Sequence, residues 1–321
     1  MTIANDGVKH FYDSFSNSYT QYANGTSALS ELLELNESDV SHAFSWGDVQ
    51  TWQSIEQSLD LLINQREQSG EPHPIKVVDI GCGDGTWALR IAHHCFSRKV
   101  PVSITCLDLS PAMLDSARAH FEQFFAQCQP DDMCVTYALC DLATGLPEPI
   151  KRDKFDITLC LHTVLNHLPA TCLNFAIAEL VAATRGFLFF SVKPPFSRPT
   201  FYAAPMSDIL HFDRRNEHLY ALDRSGSFHI LRSNLISHQQ LQDALAPLAV
   251  ATQFIGLDVL VSRLTPDPRW VGDDPTAKLL PIEDLLSLEA RTASDARYLN
   301  FANHILAIVD AQAVSQPLGI G

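Results

Sequence analysis

The sequence predicts an α/β chain centred on an open, doubly wound, mostly parallel sheet. Three observations carry this. Short apolar runs alternate with helical segments from Ile75 to Val192. A glycine-rich turn, Asp79-Ile80-Gly81-Cys82-Gly83-Asp84-Gly85, closes the first run. Acids stand at the ends of the first three runs, at Asp79, Asp108 and Asp141. Parallel strands need crossover helices, so this alternation implies helices on both faces of a sheet. Such sheets bind ligands at the carboxyl ends of their strands.

The elements follow in order. Residues up to about Ser69 read as helical, and within them Trp52, Ile55, Leu59 and Leu62 recur at helical spacing. Gly70-Glu71-Pro72-His73-Pro74 breaks the chain. Ile75–Ile80 is the first strand, Thr86–Cys95 a helix and Val102–Leu107 the second strand. Ser110 as N-cap and Pro111 at the first helical position open a helix over Ala112–Ala126. Met133–Leu139 and Phe155–Leu161 are the third and fourth strands, Ala170–Thr184 is a helix, and Gly186–Val192 is the fifth strand. Beyond Lys193 the pattern changes, and Pro194–Asn216 has no clear period. Glu217–Arg232 reads as a hairpin around Arg224-Ser225-Gly226. Ser237 caps a helix, His238–Leu245. Val250–Ser262 is a strand, Leu279–Arg291 a helix and Ala302–Val309 the last strand. The expected organisation is a helical cap over 1–72, a nucleotide-binding core over 73–193, a substrate-recognition insertion over 194–237 and a completion of the core over 238–321.

Composition narrows the function classes. Of 321 residues, 46% are hydrophobic and 18% charged, which suits a folded chain with a real core. Lys and Arg number 22 against 37 Asp and Glu, a net charge of −15. No basic cluster stands out, so nucleic acid is not an expected partner. The eight cysteines form no CxxC pair and read as reduced, packed thiols, and no spacing suggests a metal site. No signal-peptide pattern and no membrane-length apolar run is found, so a cytoplasmic location and no membrane partner are expected.

The glycine turn carries the chemistry. Glycines let the backbone turn tightly and bring its N–H groups to a ligand. A dinucleotide site wants G-x-G-x-x-G, whereas here the third glycine comes one position early. Asp79 stands two residues before Gly81. A carboxylate there disfavours a pyrophosphate and favours a cationic ligand. Asp108, at the second strand's tip, can accept from both hydroxyls of a ribose. Asp141 can accept from an adenine amino group, with the Leu142 N–H beside the ring. Taken singly, Asp108 and Asp141 can equally be loop acids or helix caps.

Over Ile75–Val192, and more loosely to the last strand, the chain resembles the class I S-adenosylmethionine-dependent methyltransferases. The motifs are VVDIGCGDG at Val77–Gly85, CLDLSPAML at Cys106–Leu114, ALCDL at Ala138–Leu142 and FDITLCLHTVLNHLP at Phe155–Pro169. The resemblance implies a seven-stranded sheet whose last strand is antiparallel and inserted between the fifth and sixth. It implies S-adenosylmethionine as donor and S-adenosylhomocysteine as product. Asp79, Gly81, Cys82, Gly83, Gly85, Asp108, Leu109, Met113, Asp141, Leu142 and Leu161 are the expected donor contacts. It also implies a lid in His10–Ala23, whose Tyr12 and Tyr22 would close over the donor.

In-line methyl transfer chiefly needs alignment, and some members add a base. His162 and His167, at the end of the fourth strand, are the candidates, since histidine titrates near neutrality; packing or helix capping is the competing role. Tyr19, Trp46, Arg198, His211 and Arg214 are the expected acceptor contacts, with core packing the competing role for the aromatics and a solvated face for the arginines. Lys193-Pro194-Pro195-Phe196 is similar to the signature of amino-methylating nucleic-acid enzymes, but it follows the fifth strand and Lys cannot accept from an amine. The expectation is a small-molecule methyltransferase, N- or O-directed. A protein methylase or protein-binding module, an aminopropyltransferase and a hydride-transfer enzyme are the alternatives. A homodimer is a further expectation, because a helical cap can exchange between subunits.

Overall fold

The computed structural model describes residues 6–24, 28–33, 35, 45–70, 73–129, 132–197, 209–222, 226–264 and 281–314. The N-terminal helices are α1 (Asp6–Asn24), α2 (Leu29–Leu33) and α3 (Ser45–Ser69). The core then alternates: β1 (Ile75–Ile80), α4 (Thr86–Ser97), β2 (Val102–Asp108), α5 (Pro111–Cys128), β3 (Met133–Leu139), α6 (Glu148–Arg152), β4 (Phe155–Cys160), α7 (Leu173–Ala183) and β5 (Thr184–Val192). A small antiparallel sheet follows, β6 (Ile209–Asp213), β7 (His218–Leu222) and β8 (Phe228–Arg232). The chain then returns through α8 (His238–Leu245), β9 (Val250–Leu257), α9 (Val261–Leu264), α10 (Ile282–Ala293) and β10 (His304–Val314).

The main sheet has the order β3-β2-β1-β4-β5-β10-β9. β10 runs antiparallel to both β5 and β9, so the last strand is inserted where the resemblance implies. β1 and β4 lie at the middle with every residue from Phe155 to Cys160 buried, because both faces are covered by helices. One apolar cluster packs α3 and α4 on one face, through Ile55, Leu59, Ile91 and Phe189. A second packs α7 and α8 on the other, through Ile177, Leu180, Leu241 and Phe190.

Several boundaries differ from the sequence reading, three of them with a clear physical cause. The insertion holds a third strand, β6, which pairs with β7 through a register shift between Ile209 and His211; the irregularity hides its alternation. The strand expected to run to Ser262 ends at Leu257. Asp258 there takes φ +55°, and Glu289 accepts the N–H groups of Val259, Leu260 and Val261 at 2.6, 2.6 and 2.8 Å, which turns the chain into α9. The last strand extends to Val314 because β9 pairs with it that far.

α1 has a separate role. Its Val8, Phe11 and Phe15 pack with Leu219, Ala221 and Leu231 of the small sheet, forming a third core apart from the other two. α1 and the small sheet therefore make one apolar unit. Among the described residues no helix is long and apolar enough to cross a membrane.

Candidate active site

The turn after β1 is built by the second strand's end. The N–H groups of Gly81 and Cys82 donate to Leu107 O at 2.7 and 2.9 Å, and Gly83 N donates to Asp108 Oδ2 at 2.9 Å. Gly81, Gly83 and Gly85 have φ of +70°, +56° and +77°. A Cβ on Gly81 would lie 2.2 Å from Val164 Cγ2, so both conformation and space demand glycine. At the start of α4, Asp84 Oδ1 accepts from Thr86 N at 3.2 Å and from Thr86 Oγ1 at 2.8 Å. Ser110 caps α5 through Met113 N, with Pro111 behind it, as the sequence predicts.

A cavity opens over this turn. Asp79, Gly81, Cys82, Gly83, Asp108, Leu109, Met113, Asp141, Leu142 and Leu161 line it, together with Tyr12, Tyr19, His162 and His167. Gly85 lies behind the turn, where a Cβ would meet Ala117 at 2.9 Å. Tyr19 packs over Gly83, with Cε1 3.3 Å from where a Cβ would stand. Tyr22 lies in α1, and its side chain is outside the described residues.

The carboxylates are poorly compensated. Asp79 and Asp84 are each 3% exposed, and one oxygen of each, Oδ2, has no hydrogen-bond partner. Burial, with the Asp108 and Asp84 charges nearby, pushes the Asp79 carboxyl up to about 8. Burial raises Asp108 to about 6, against the pull of the backbone donors of Ser110, Gly83 and Leu109. Asp141 accepts from Ala143 N at 3.0 Å, capping the short 3-10 turn at Leu142.

The two histidines have different hydrogen-bond states. Trp87 Nε1 donates to His162 Nε2 at 2.5 Å. A neutral imidazole has one lone pair, so that of His162 is occupied and its Nδ1 carries the hydrogen. Burial, with Arg90 nearby, lowers His162 to about 3. His167 Nδ1 lies 2.6 Å from Arg232 O, which can only accept, so the hydrogen is on Nδ1. Its Nε2 then accepts from the Tyr12 hydroxyl at 2.9 Å. Burial lowers His167 to about 4 and raises the Tyr12 phenol. Tyr12 thus ties α1 to the turn after β4, while β8 sets the imidazole tautomer. A second tie runs from Ser110 Oγ to Asp13 Oδ1 at 2.5 Å.

The remaining expected residues lie elsewhere. Trp46 packs in the apolar core, in the same cluster as Ile55 and Leu257. His211 stacks on Tyr220 in the small sheet, at 5.9 Å between ring centroids. Arg214 is exposed and donates to Pro195 O and Ser197 O. Arg198 falls outside the described residues. Lys193 is buried, its Nζ 3.3 Å from Asn303 Oδ1. The cavity also takes Asp48, Asp84, Thr86, Trp87, Val8 and Val164, which the sequence reading did not assign. Asp84 lies in the turn and Trp87 adjoins it, so both were findable from it. Asp48 sits in the first turn of α3, and no motif marks it.

Residues 77–186 match the family model of a methyltransferase domain. No curated protein matches the chain at a significant level. Among solved structures, it is similar to magnesium protoporphyrin IX methyltransferase (ChlM) from Synechocystis PCC 6803 with bound SAH. The identity is 16% and the TM-score 0.45, over 94% of this chain and 98% of that one. It is similar to CalS10, an amino pentose methyltransferase from Micromonospora echinaspora with bound SAM, at 15% identity and TM-score 0.39, over 79% and 90%. The family match, the glycine turn and the strand order agree, and they identify residues 77–186 of this chain as a methyltransferase domain.

Proposed function

We propose that the chain is an S-adenosylmethionine-dependent methyltransferase acting on a small molecule, N- or O-directed, with Tyr12 and His167 handling the acceptor's proton. One observation carries this reading: strand-end carboxylates and a bare glycine turn share one cavity, and two buried carboxylate oxygens there have no hydrogen-bond partner. A buried carboxylate left in that state is offset by a cation.

The residues fit the donor. Asp79 Oδ2 would pair with its positively charged methionine end, the Gly81–Gly83 backbone would let it approach, and Asp108 would accept from the ribose. Each Asp108 oxygen already holds one backbone donor and keeps a further lone pair. Asp141 and the Leu142 N–H would flank the adenine. When bound, the donor supplies a methyl group already activated on a sulfonium. Tyr19 and Tyr12 close the cavity and exclude water.

The base falls to His167 rather than His162, because Trp87 occupies the only lone pair of His162. Tyr12 Oη receives the acceptor's proton as it passes its own to His167 Nε2, and Arg232 O holds the imidazole in the accepting tautomer. General-base help of this kind is worth about 10²–10⁴-fold in rate.

Calorimetry with S-adenosylmethionine and with NAD tests the reading. Tight binding of the first and none of the second is expected, and the reverse would overturn it.

A further inference from the structure

We infer that Asn166 is the positioning residue of the proton relay: its buried side-chain amide clasps the end of β5 to the chain leaving β8, and that clasp keeps His167 in its proton-accepting form. This rests on the Tyr12–His167 reading above and deepens it.

The turn after β4 needs an outside hold. His162 and Thr163 take φ of +54° and +71°, a conformation strained for residues with a side chain. The β4–β5 ladder has already ended, at Cys160 and Phe190. His162 N donates to Ser191 Oγ at 2.8 Å. Asn166, the residue before His167 and fully buried, supplies a second anchor.

The hydrogen-bonding capacity of its amide is taken up from two sides. Lys193 N donates to Asn166 Oδ1 at 2.8 Å. Asn166 Nδ2 donates to Lys193 O at 2.9 Å and to Asn234 O at 2.5 Å. A backbone N–H only donates and a carbonyl only accepts, so the amide has one permitted orientation. The paired bonds to Lys193 reproduce the exchange between opposite strand residues, one step beyond the end of β5. Asn234 N donates in turn to Asn166 O at 2.7 Å, so one residue holds both backbone groups of Asn234. Asn234 Nδ2 returns to Leu168 O, and Ile236 N donates to Lys193 O at 3.0 Å.

The clasp sets the contact on which His167 depends. Asn166 adjoins His167, and Arg232 lies two residues before Asn234. Fixing Asn166 against Asn234 therefore fixes His167 Nδ1 against Arg232 O, 2.6 Å away. That contact keeps the hydrogen on Nδ1 and leaves Nε2 to accept from Tyr12. The groups facing the ring are the Tyr12 hydroxyl from α1, the Thr163 hydroxyl from its own turn and the Arg232 carbonyl from β8. Tyr12 and Thr163 are neutral, and Asp108 acts on the Tyr12 phenol. Without the clasp the imidazole can exchange tautomers and water reaches it. Burial is the larger influence on His167, so its relief outweighs loss of the Arg232 contact and protonation becomes easier. The base is in working form only while the exit of the small sheet is seated on β5.

The test reads the imidazole itself, by nitrogen-15 NMR of histidine-labelled full-length protein, with His167 assigned by its loss in His167→Gln. In the wild type His167 should show one tautomer, hydrogen on Nδ1, and protonate near 4. Asn166→Ala removes every bond of the amide without adding a charge. It should give a mixture of tautomers and move the midpoint toward histidine's ordinary 6.5, while calorimetric S-adenosylhomocysteine affinity stays within about two-fold. A folded Asn166→Ala with the wild-type tautomer and midpoint overturns the proposal. Asp156→Asn loosens the opposite end of β4 and should leave the tautomer alone. If it scrambles His167 equally, Asn166 only stabilises the fold and the proposal fails. Should Asn166→Ala not fold, hydrogen exchange in the wild type decides: the Asn166 side-chain amide should exchange at least about 10²-fold slower than an exposed amide, and rapid exchange overturns the clasp. A full-rate Tyr12→Phe beside a scrambled Asn166→Ala would reject the relay and leave the clasp standing.

Discussion

Two buried carboxylates in the central strands have opposite surroundings. Asp156, near the start of β4, is 5% exposed. It receives Arg66 at 2.6 Å, Arg185 through two bonds at 2.7 and 2.9 Å, and Lys76 N at 2.8 Å. Burial opposes its ionisation, but these partners outweigh burial and hold the carboxyl below its usual range. Asp79, near the end of β1, is 3% exposed, keeps one oxygen without a hydrogen-bond partner and is pushed up to about 8. The starting edge of the sheet is electrostatically complete. The finishing edge is left incomplete, and a buried deficit of this kind marks a ligand's place.

The largest expected effect separates activity from stability. Replacing His167 with Ala, or Tyr12 with Phe, should lower kcat by about 10²–10⁴-fold while calorimetric donor affinity stays within about two-fold. A full-rate Tyr12→Phe would remove the relay. The acid limb of the rate profile should also fall near 4, where His167 protonates, rather than at histidine's ordinary 6.5.

Next in size, Asp156→Asn should cost about 3 kcal/mol of unfolding free energy, the low end for breaking a buried ion pair because Arg185 is half exposed. Donor affinity should not change. Asp79→Asn should do the reverse: stability held or raised in urea titrations, donor affinity lowered. If both variants destabilise equally, the contrast between the two edges is wrong. Asp108→Ala should weaken donor binding by about 1.5–3 kcal/mol, the range for a hydrogen bond to a charged group.

A smaller effect follows from the sign of the Asp79 shift. Between its ordinary 3.8 and about 8, the folded state holds a proton that the unfolded chain has lost. Asp79 therefore makes stability fall as pH rises through that window. Pairing with a cation favours the ionised form, so donor binding at pH 7 should release a proton. Calorimetry in two buffers of different ionisation enthalpy would detect it. The smallest effect is at α1: Asp13→Asn weakens two partly exposed contacts, to Ser110 and to Lys9, and should change stability by about 1 kcal/mol or less.

The sequence determined the strand-end half of the cavity. Asp79 to Gly85, Asp108 and Asp141 lie at the ends of consecutive strands, and parallel topology brings consecutive strand ends together. Backbone demand for glycine and the position of an acid at a strand tip are local properties, so they can be read from a short window. Only the tertiary structure decided the other half. Tyr12 and His167 are 155 residues apart, the tautomer of His167 depends on a carbonyl in β8, and Asp48 reaches the cavity from a helix with no motif around it. Which lone pair is free, and which carboxylate lacks a partner, depends on neighbours supplied by distant segments. For the same reason Trp46 went to the core and His211 and Arg214 to the small sheet and its turn: residue type shows what a side chain can do, while packing decides what it faces.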